Sequence, residues 1–150
     1  MSDAEVRQEL LDGIGGAIEE LGTALAALGA AYELLDERSA DRLEDELFGP
    51  VQKAYGRAQR TYADFAARHA LAAATFEPPS ASSGSRDVRR FLDRAVDAVD
   101  EAEAILVDLQ DSGRPVDYGD AELRAGLAGV RELVASVRAS SRAFTRTLGR

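Results

Sequence analysis

The sequence contains a single histidine, His69, which is the first residue to consider for chemistry. It follows Tyr55, Tyr62 and Phe65 along one helical stripe, at steps of three, four and seven residues. These four residues could line a cavity, because helical bundles hold ligands between their helices. Aromatic side chains at this spacing also fill cores, with their polar atoms at the margin. The pattern therefore leaves two interpretations open, a packed core or a cavity for a small apolar ligand.

Several classes of catalytic site are excluded by composition. A lone histidine cannot supply the two Glu-x-x-His pairs of a di-iron bundle. The sequence has no cysteine, so thiolate metal sites, disulfides and cysteine nucleophiles are absent. The clustered Gly13, Gly15 and Gly16 are not followed by Gly-Lys-Ser/Thr, and no serine lies in a Gly-x-Ser-x-Gly motif. We predict no catalytic residue and no cofactor.

Carboxylates recur on one side of the third helical segment, at Asp93, Asp97 and Asp100. Clustered carboxylates can hold Mg²⁺ or Ca²⁺. A magnesium-dependent hydrolase would need comparable acids from a second helix, and Glu33 with Asp36 is only a loose match. Solvated helix faces have the same composition, so no metal site is predicted and a metal-dependent hydrolase is the third hypothesis.

Arginines form a basic stripe near the C-terminus. They recur every seven residues and then more densely, at Arg124, Arg131, Arg138, Arg142, Arg146 and Arg150. Such a stripe can contact phosphate, but it lacks the interleaved aromatic residues of single-strand binding. Because acidic segments occur elsewhere in the chain, we expect internal ion pairs, with docking of the basic tail onto an acidic surface as the alternative.

Three glycines in the first segment, Gly15, Gly22 and Gly29, recur every seven residues beside an apolar stripe. Each costs a helix about 1 kcal/mol relative to alanine. Close packing along this edge would offset that cost. We therefore predict an interaction edge here, bound by a helix of the same chain or of a partner.

Four segments with heptad spacing of apolar residues predict an all-α, antiparallel four-helix bundle. The expected helices are 3–37, 41–75 with a break near 49–50, 87–111 and 120–148. A Pro/Ser-rich linker at 77–86 joins two helical hairpins within a single domain, 1–150. Gly49 followed by Pro50 motivates the break, and Ser39 or Asp41 is the expected N-cap of the second helix.

Charge alternates along these segments, which run acidic, basic, acidic and basic. In an up-down-up-down ring each helix neighbours the next, and the fourth neighbours the first. Alternating charge would then place opposite signs at every adjacent pair, which favours that ring. Each exposed pair is worth only about 0 to 1 kcal/mol.

The net charge of −9 disfavours nucleic acid and anionic lipid as partners. The longest uncharged run in the first segment, 12 residues, is too short to span a bilayer, and the N-terminus lacks a signal-peptide pattern. We expect a cytoplasmic protein without membrane contact. The predicted function is protein–protein interaction or self-association, as a homo-oligomer or with a protein partner. The alternative is a small-ligand-binding bundle.

Overall fold

The computed structural model describes residues 1–80 and 84–148, and within them the chain is helical without a strand. The helices are α1 Asp3–Leu34, α2 Glu37–Leu43, α3 Gly49–His69, α4 Val88–Asp111, α5 Arg114–Asp117 and α6 Ala121–Leu148. A π-helical turn, Glu44–Phe48, joins α2 to α3. The predicted all-α bundle of two hairpins is confirmed.

Helix α1 is the central element of the core. Ser2 caps its N-terminus by accepting a hydrogen bond from the Glu5 amide at 3.2 Å. Its heptad stripe is almost fully buried, at Leu10, Leu11, Ile14, Ile18, Leu21, Leu25 and Leu28. By length and composition α1 alone among the described helices could cross a membrane, and 61% of its most apolar window is buried inside the bundle.

The second long helix is continuous where a break was predicted. It begins after Asp36, whose side chain accepts from the Ser39 amide, so the predicted caps Ser39 and Asp41 are wrong. Pro50 cannot donate a backbone hydrogen bond, and its ring crowds the carbonyl four residues earlier. The preceding turn widens instead, with the Gly49 amide bonded to the Glu44 carbonyl, five residues back. The π-turn thus accommodates the proline without ending the helix.

Helix α3 ends at His69, six residues before its predicted end at 75. Ala70 takes the left-handed conformation, with φ of 52°, and the Leu71 amide bonds back to the Ala66 carbonyl. Beyond it, the Gln8 side chain bonds both the amide and the carbonyl of Ala72, at 3.0 Å each. These contacts with α1 replace the helical bonds that the alanine-rich sequence predicted.

The chain between α3 and α4, which we call the crossover segment, runs along α1 over its described residues 70–80. Phe76 lies against Gly15, Pro78 lies against Gly22, and Ser80 shares a cleft with Ala27. Residues 81–83 of the predicted linker lie outside the described part. The eleven described residues 70–80 alone can span up to about 40 Å, which exceeds the length of α3, about 30 Å. The segment therefore returns the chain to the end where α3 began.

The crossover changes the order of the helices around the bundle. Helix α1 packs on α3 and α4, and α6 packs on the same two helices. The pairs α1–α6 and α3–α4 lie across the diagonals, so the topology is up-down-down-up with all neighbours antiparallel. The predicted up-down-up-down ring is wrong, because it treated the linker as a hairpin loop and weighed exposed charge pairs worth little.

This order places helices of like charge side by side. Helices α1 and α4 form an acidic face, and α3 and α6 form a basic face. Opposite signs meet only at the α1–α3 and α4–α6 pairs, so the predicted alternation around the ring is wrong. The acids of the acidic face are Asp3, Glu5, Glu9, Asp12, Glu19, Glu20, Glu33, Asp93, Asp97, Asp100, Glu101, Glu103, Asp108 and Asp111. The bases of the basic face are Lys53, Arg57, Arg60, Arg68, Arg124, Arg131, Arg138, Arg142 and Arg146.

Candidate functional site

His69 is held at the lower end of the bundle, where α1 begins and α3 ends. Its Nε2 lies 2.9 Å from Asp120 Oδ2, and the Arg68 guanidinium bonds both carboxylate oxygens of Asp120 at 2.8 Å. The Asp120 side chain also accepts from the Leu123 amide at 2.7 Å, which caps α6. We call Arg68, His69 and Asp120 the lower lock, since together they fasten the end of α3 to the start of α6.

The electrostatics of the lower lock favour an ionised carboxylate. Burial alone would raise the pKa of Asp120. The hydrogen bonds from Arg68, the Leu123 amide and His69 outweigh burial and hold the pKa well below its usual range. The ionised Asp120 carboxylate orients the imidazole of His69. The lone pairs of the carboxylate accept hydrogen bonds from Arg68, His69 and the Leu123 amide.

The other members of the predicted aromatic site divide into two groups. Phe65 packs against His69, with ring centroids 4.6 Å apart, and is fully buried. Tyr62 contacts the crossover segment instead. Its ring lies edge-on to Phe76, and its hydroxyl accepts a hydrogen bond from the Ala74 amide at 2.8 Å. Tyr55 packs on Gly22. The structure brings Phe65 and His69 together but directs Tyr55 and Tyr62 to α1 and the crossover segment.

The hydroxyl of Tyr55 is buried, and within the described residues it has no hydrogen-bond partner. Burial raises the pKa of this phenol. The five best-formed cavities among the described residues are lined by side chains other than Tyr55, Tyr62, Phe65 and His69. The ligand cavity around these residues stays a hypothesis without an observed volume.

The predicted glycine edge is partly covered by the chain itself. A Cβ on Gly15 would stand 3.3 Å from the Phe76 ring, and one on Gly22 would stand 3.6 Å from Pro78. Gly29 faces nothing within 4 Å. The neighbour at the first two glycines is therefore the crossover segment, and the edge is open only at the third.

A closer helix contact occurs at a glycine that the sequence analysis did not single out. A Cβ on Gly126 of α6 would collide with Thr61 Oγ1 and Cγ2 of α3. Three residues on, a Cβ on Gly129 would stand 3.1 Å from the Arg57 guanidinium. The sequence signal for this contact was the pair of glycines three residues apart on α6. Of the two glycine-bearing helices α1 and α6, the closer approach by a neighbouring helix is that of α3 to α6.

The acids of α4 are divided between different contacts. Arg138 bonds Asp100 at 2.7 Å and Glu103 at 2.5 Å. Asp93 lies farther up the helix, beside Arg89. In the part of the chain that the structure describes, no three acids, histidines or cysteines converge as a metal site.

The arginine stripe of α6 has two parts. Its lower members bond within the chain, with Arg124 on the Pro115 carbonyl and Arg131 on Gln110 at 2.8 Å, as well as Arg138 on α4. Its upper members, Arg142 and Arg146, line an open groove, while the predicted Arg150 lies outside the described residues. Of the arginines of the stripe that the structure describes, Arg138 alone forms the predicted internal ion pairs, whereas Arg124 and Arg131 bond neutral acceptors.

Two grooves among the described residues each contain three arginines. The upper groove lies between α4 and α6, has a volume of about 840 Å³ and is lined by Arg89, Asp93, Val96, Arg142, Thr145 and Arg146, with Ser141. A smaller groove of about 230 Å³ lies between α3 and α6 and contains Arg57, Arg60 and Arg68 with Asp64 and Glu122. The upper groove carries the larger excess of positive charge.

Comparison with protein-family models, with curated proteins and with solved structures finds no match to this chain.

Proposed function

We propose that the protein is a non-enzymatic interaction protein that binds a second copy of itself, the acidic face of one copy on the basic face of the next. The observation that supports this proposal is the helix order, which sets α1 beside α4 and α3 beside α6. A helix order with alternating charge would neutralise the charges within one chain. The observed order instead concentrates acids on one face and bases on the other.

Complementary charged faces mainly raise the rate at which two copies meet and fix the orientation in which they bind. Summed potentials from one-signed faces steer association and suppress contacts between faces of like sign. Arg57 and Arg60 on the basic face are exposed, as are Asp97 and Glu101 on the acidic face. These side chains are therefore accessible to a second copy.

Little large apolar surface is exposed among the described residues, so we expect a polar and reversible contact. In the described part of the chain the exposed large hydrophobic residues are Met1, Tyr32 and Val116. Obligate dimers bury extensive apolar surface, whereas weak interfaces are smaller and more polar. We therefore expect association that weakens as salt is added, because exposed charges are screened within about 8 Å at 0.15 M ionic strength.

A contact between two different faces is heterologous, so it leaves one free face at each end of a dimer. Such contacts make rings when the rotation closes and open chains when it does not. We expect species larger than dimers at high protein concentration.

The test is sedimentation velocity of the wild type at increasing concentration, in low and in high salt. We expect association in low salt that is reversed in high salt. A basic-face variant, K53E/R57E/R60E, and an acidic-face variant, D97K/E101K/D108K, should each sediment as monomers. The wild type sedimenting as a monomer at millimolar concentration in low salt contradicts the proposal.

The matched control separates loss of a face from a change in net charge. The variant R38E/R86E/R90E alters net charge by the same amount as the basic-face variant, at exposed positions away from α3 and α6. It should retain the association. Equal loss in this control and in the basic-face variant would show that net charge, and not the face, governs the behaviour.

A further inference from the structure

We infer that the upper groove binds a small organic anion, a carboxylate or phosphate attached to an apolar body. The groove lies where the two faces meet and includes Arg142 and Arg146 of the basic face. The self-association is tested at Lys53, Arg57 and Arg60, which do not line the groove, so the two proposals can fail separately. The inference begins from three arginines contributed by two helices. Arg89 lies in the first turn of α4, and Arg142 and Arg146 lie one turn apart on α6.

These three arginines line one groove, and they differ from Arg68, Arg114 and Arg138, which form ion pairs within the chain. Arg138 holds two acids, and Arg68 and Arg114 each hold one. Across residues 1–80 and 84–148, no carboxylate forms an ion pair with Arg89, Arg142 or Arg146. Asp93 is the one acid that lines the groove, so the lining keeps an excess of positive charge in a chain of net charge −9.

Guanidinium groups select the chemistry of the ligand. The planar guanidinium donates two parallel hydrogen bonds to a carboxylate or phosphate, and such charge-assisted bonds are about twice as strong as neutral ones. The site therefore favours an anion over a neutral or cationic molecule.

The floor of the groove is partly apolar, which favours a ligand that carries an apolar group next to its anionic group. Val96 and the methyl of Thr145 form part of it, and the Ser141 hydroxyl is already bonded to the Arg138 carbonyl at 2.9 Å. The core gap beneath, which Leu92 and Val137 help to line, holds about 10 Å³. Because that space fits no more than about one water molecule, the apolar body lies on the floor and does not enter the core.

The volume of about 840 Å³ lies within the range of small-molecule sites, about 300 to 1,000 Å³. A medium-chain carboxylate would fit along the groove between the two helices. Its carboxylate would lie among the arginines and its chain over Val96.

The test is isothermal titration calorimetry of the full chain with decanoate, 1-decanol and inorganic phosphate, each below its aggregation limit. We expect decanoate to bind at one site per chain and the other two probes to bind at least about tenfold more weakly. The variant R89Q/R142Q/R146Q should weaken decanoate binding by about a hundredfold or more. Circular dichroism confirms that the variant is folded.

The matched control removes three arginines elsewhere. The variant R57Q/R60Q/R124Q makes the same change in net charge on the basic face and should bind decanoate as the wild type does. Equal weakening in both variants, equal affinity for decanoate and 1-decanol, or no heat with decanoate would each overturn the inference. Phosphate binding as tightly as decanoate would also overturn it, since the floor would then contribute nothing.

Discussion

The α1–α4 pair and the α3–α6 pair each bring together helices of like charge, but they pack differently. On α1, Leu109 and Ile105 of α4 lie over Gly13 and Gly16, and the crossover segment covers the outer edge. On α6, the backbone at Gly126 approaches Thr61 of α3 directly. Flexible leucine and isoleucine ends can move aside, whereas a β-branched threonine cannot. In both pairs the helices carry like charge and are still neighbours. Apolar burial therefore outweighs exposed charge in setting the order of the helices.

The largest effect is expected where the α3–α6 pair is tightest. Gly126→Ala should lower the free energy of unfolding by about 2 kcal/mol, because the strain of overpacking exceeds the gain of about 1 kcal/mol in helix propensity. Chemical denaturation measures the change. The double variant T61A/G126A should regain most of the loss, since Thr61 Oγ1 and Cγ2 are among the atoms that the new methyl would meet.

A stabilising Gly126→Ala substitution would mean that α3 and α6 are farther apart than described. In that case the contrast between the two helix pairs would disappear.

The lower lock fastens only the α3–α6 pair, and Asp120→Asn tests it. Asparagine can still cap α6, but the charged bonds to Arg68 and His69 are lost, so stability at pH 7 should fall by about 1 to 2 kcal/mol. Asp64→Asn is the control, because Asp64 is exposed on the same face, and it should change stability by less than about 0.5 kcal/mol.

The effect of Asp120→Asn should depend on pH with a defined sign. The pKa of Asp120 is lowered in the folded chain, so its contribution is present above the unfolded pKa of about 3.9 and is lost as pH falls through the folded value. The difference between wild type and variant should therefore shrink from about pH 5 downward. Urea titrations at several pH values measure it, and a difference that grows in acid contradicts the assignment.

The smallest effect is expected at the open position of the α1 edge. Gly29→Ala should raise the free energy of unfolding by up to about 1 kcal/mol, because a Cβ there meets nothing within 4 Å and alanine favours the helix. The melting temperature reports the gain. Gly22→Ala, placed under Pro78 and Tyr55, is the comparison and should gain less. A loss of stability at Gly29 would reveal a neighbour that contacts this edge.

The sequence predicted the helices better than their order. Periodicity located α1, α4 and α6 to within a few residues, since one buried stripe per helix is a local property. It did not locate the end of α3, because Ala70 provides no stop signal and Gln8, 64 residues away, holds Ala72. The order of the helices depended on the path of the crossover segment over α1, which no local pattern encodes.

The candidate sites were predicted only in part. The stripe of arginines and the unusual His69 were visible, but their partners are distant in sequence. Asp120 lies 51 residues from His69, and no local pattern connects the two. Arg89 joins Arg142 and Arg146 because α4 and α6 are antiparallel neighbours, so the upper groove requires the fold to be known.

The most direct measurement of the self-association mixes neutralised forms of the basic-face and acidic-face variants, K53Q/R57Q/R60Q and D97N/E101Q/D108N, in low salt. Neutralised forms are used because the charge-reversed faces would attract each other. Each variant then keeps one charged wild-type face, so the mixture has one productive contact, between the acidic face of the first and the basic face of the second. Sedimentation velocity should show a 1:1 dimer in the mixture, no larger species, and monomers in each variant alone. Monomers in the mixture, with the wild type associated under the same conditions, would contradict the pairing of the two faces.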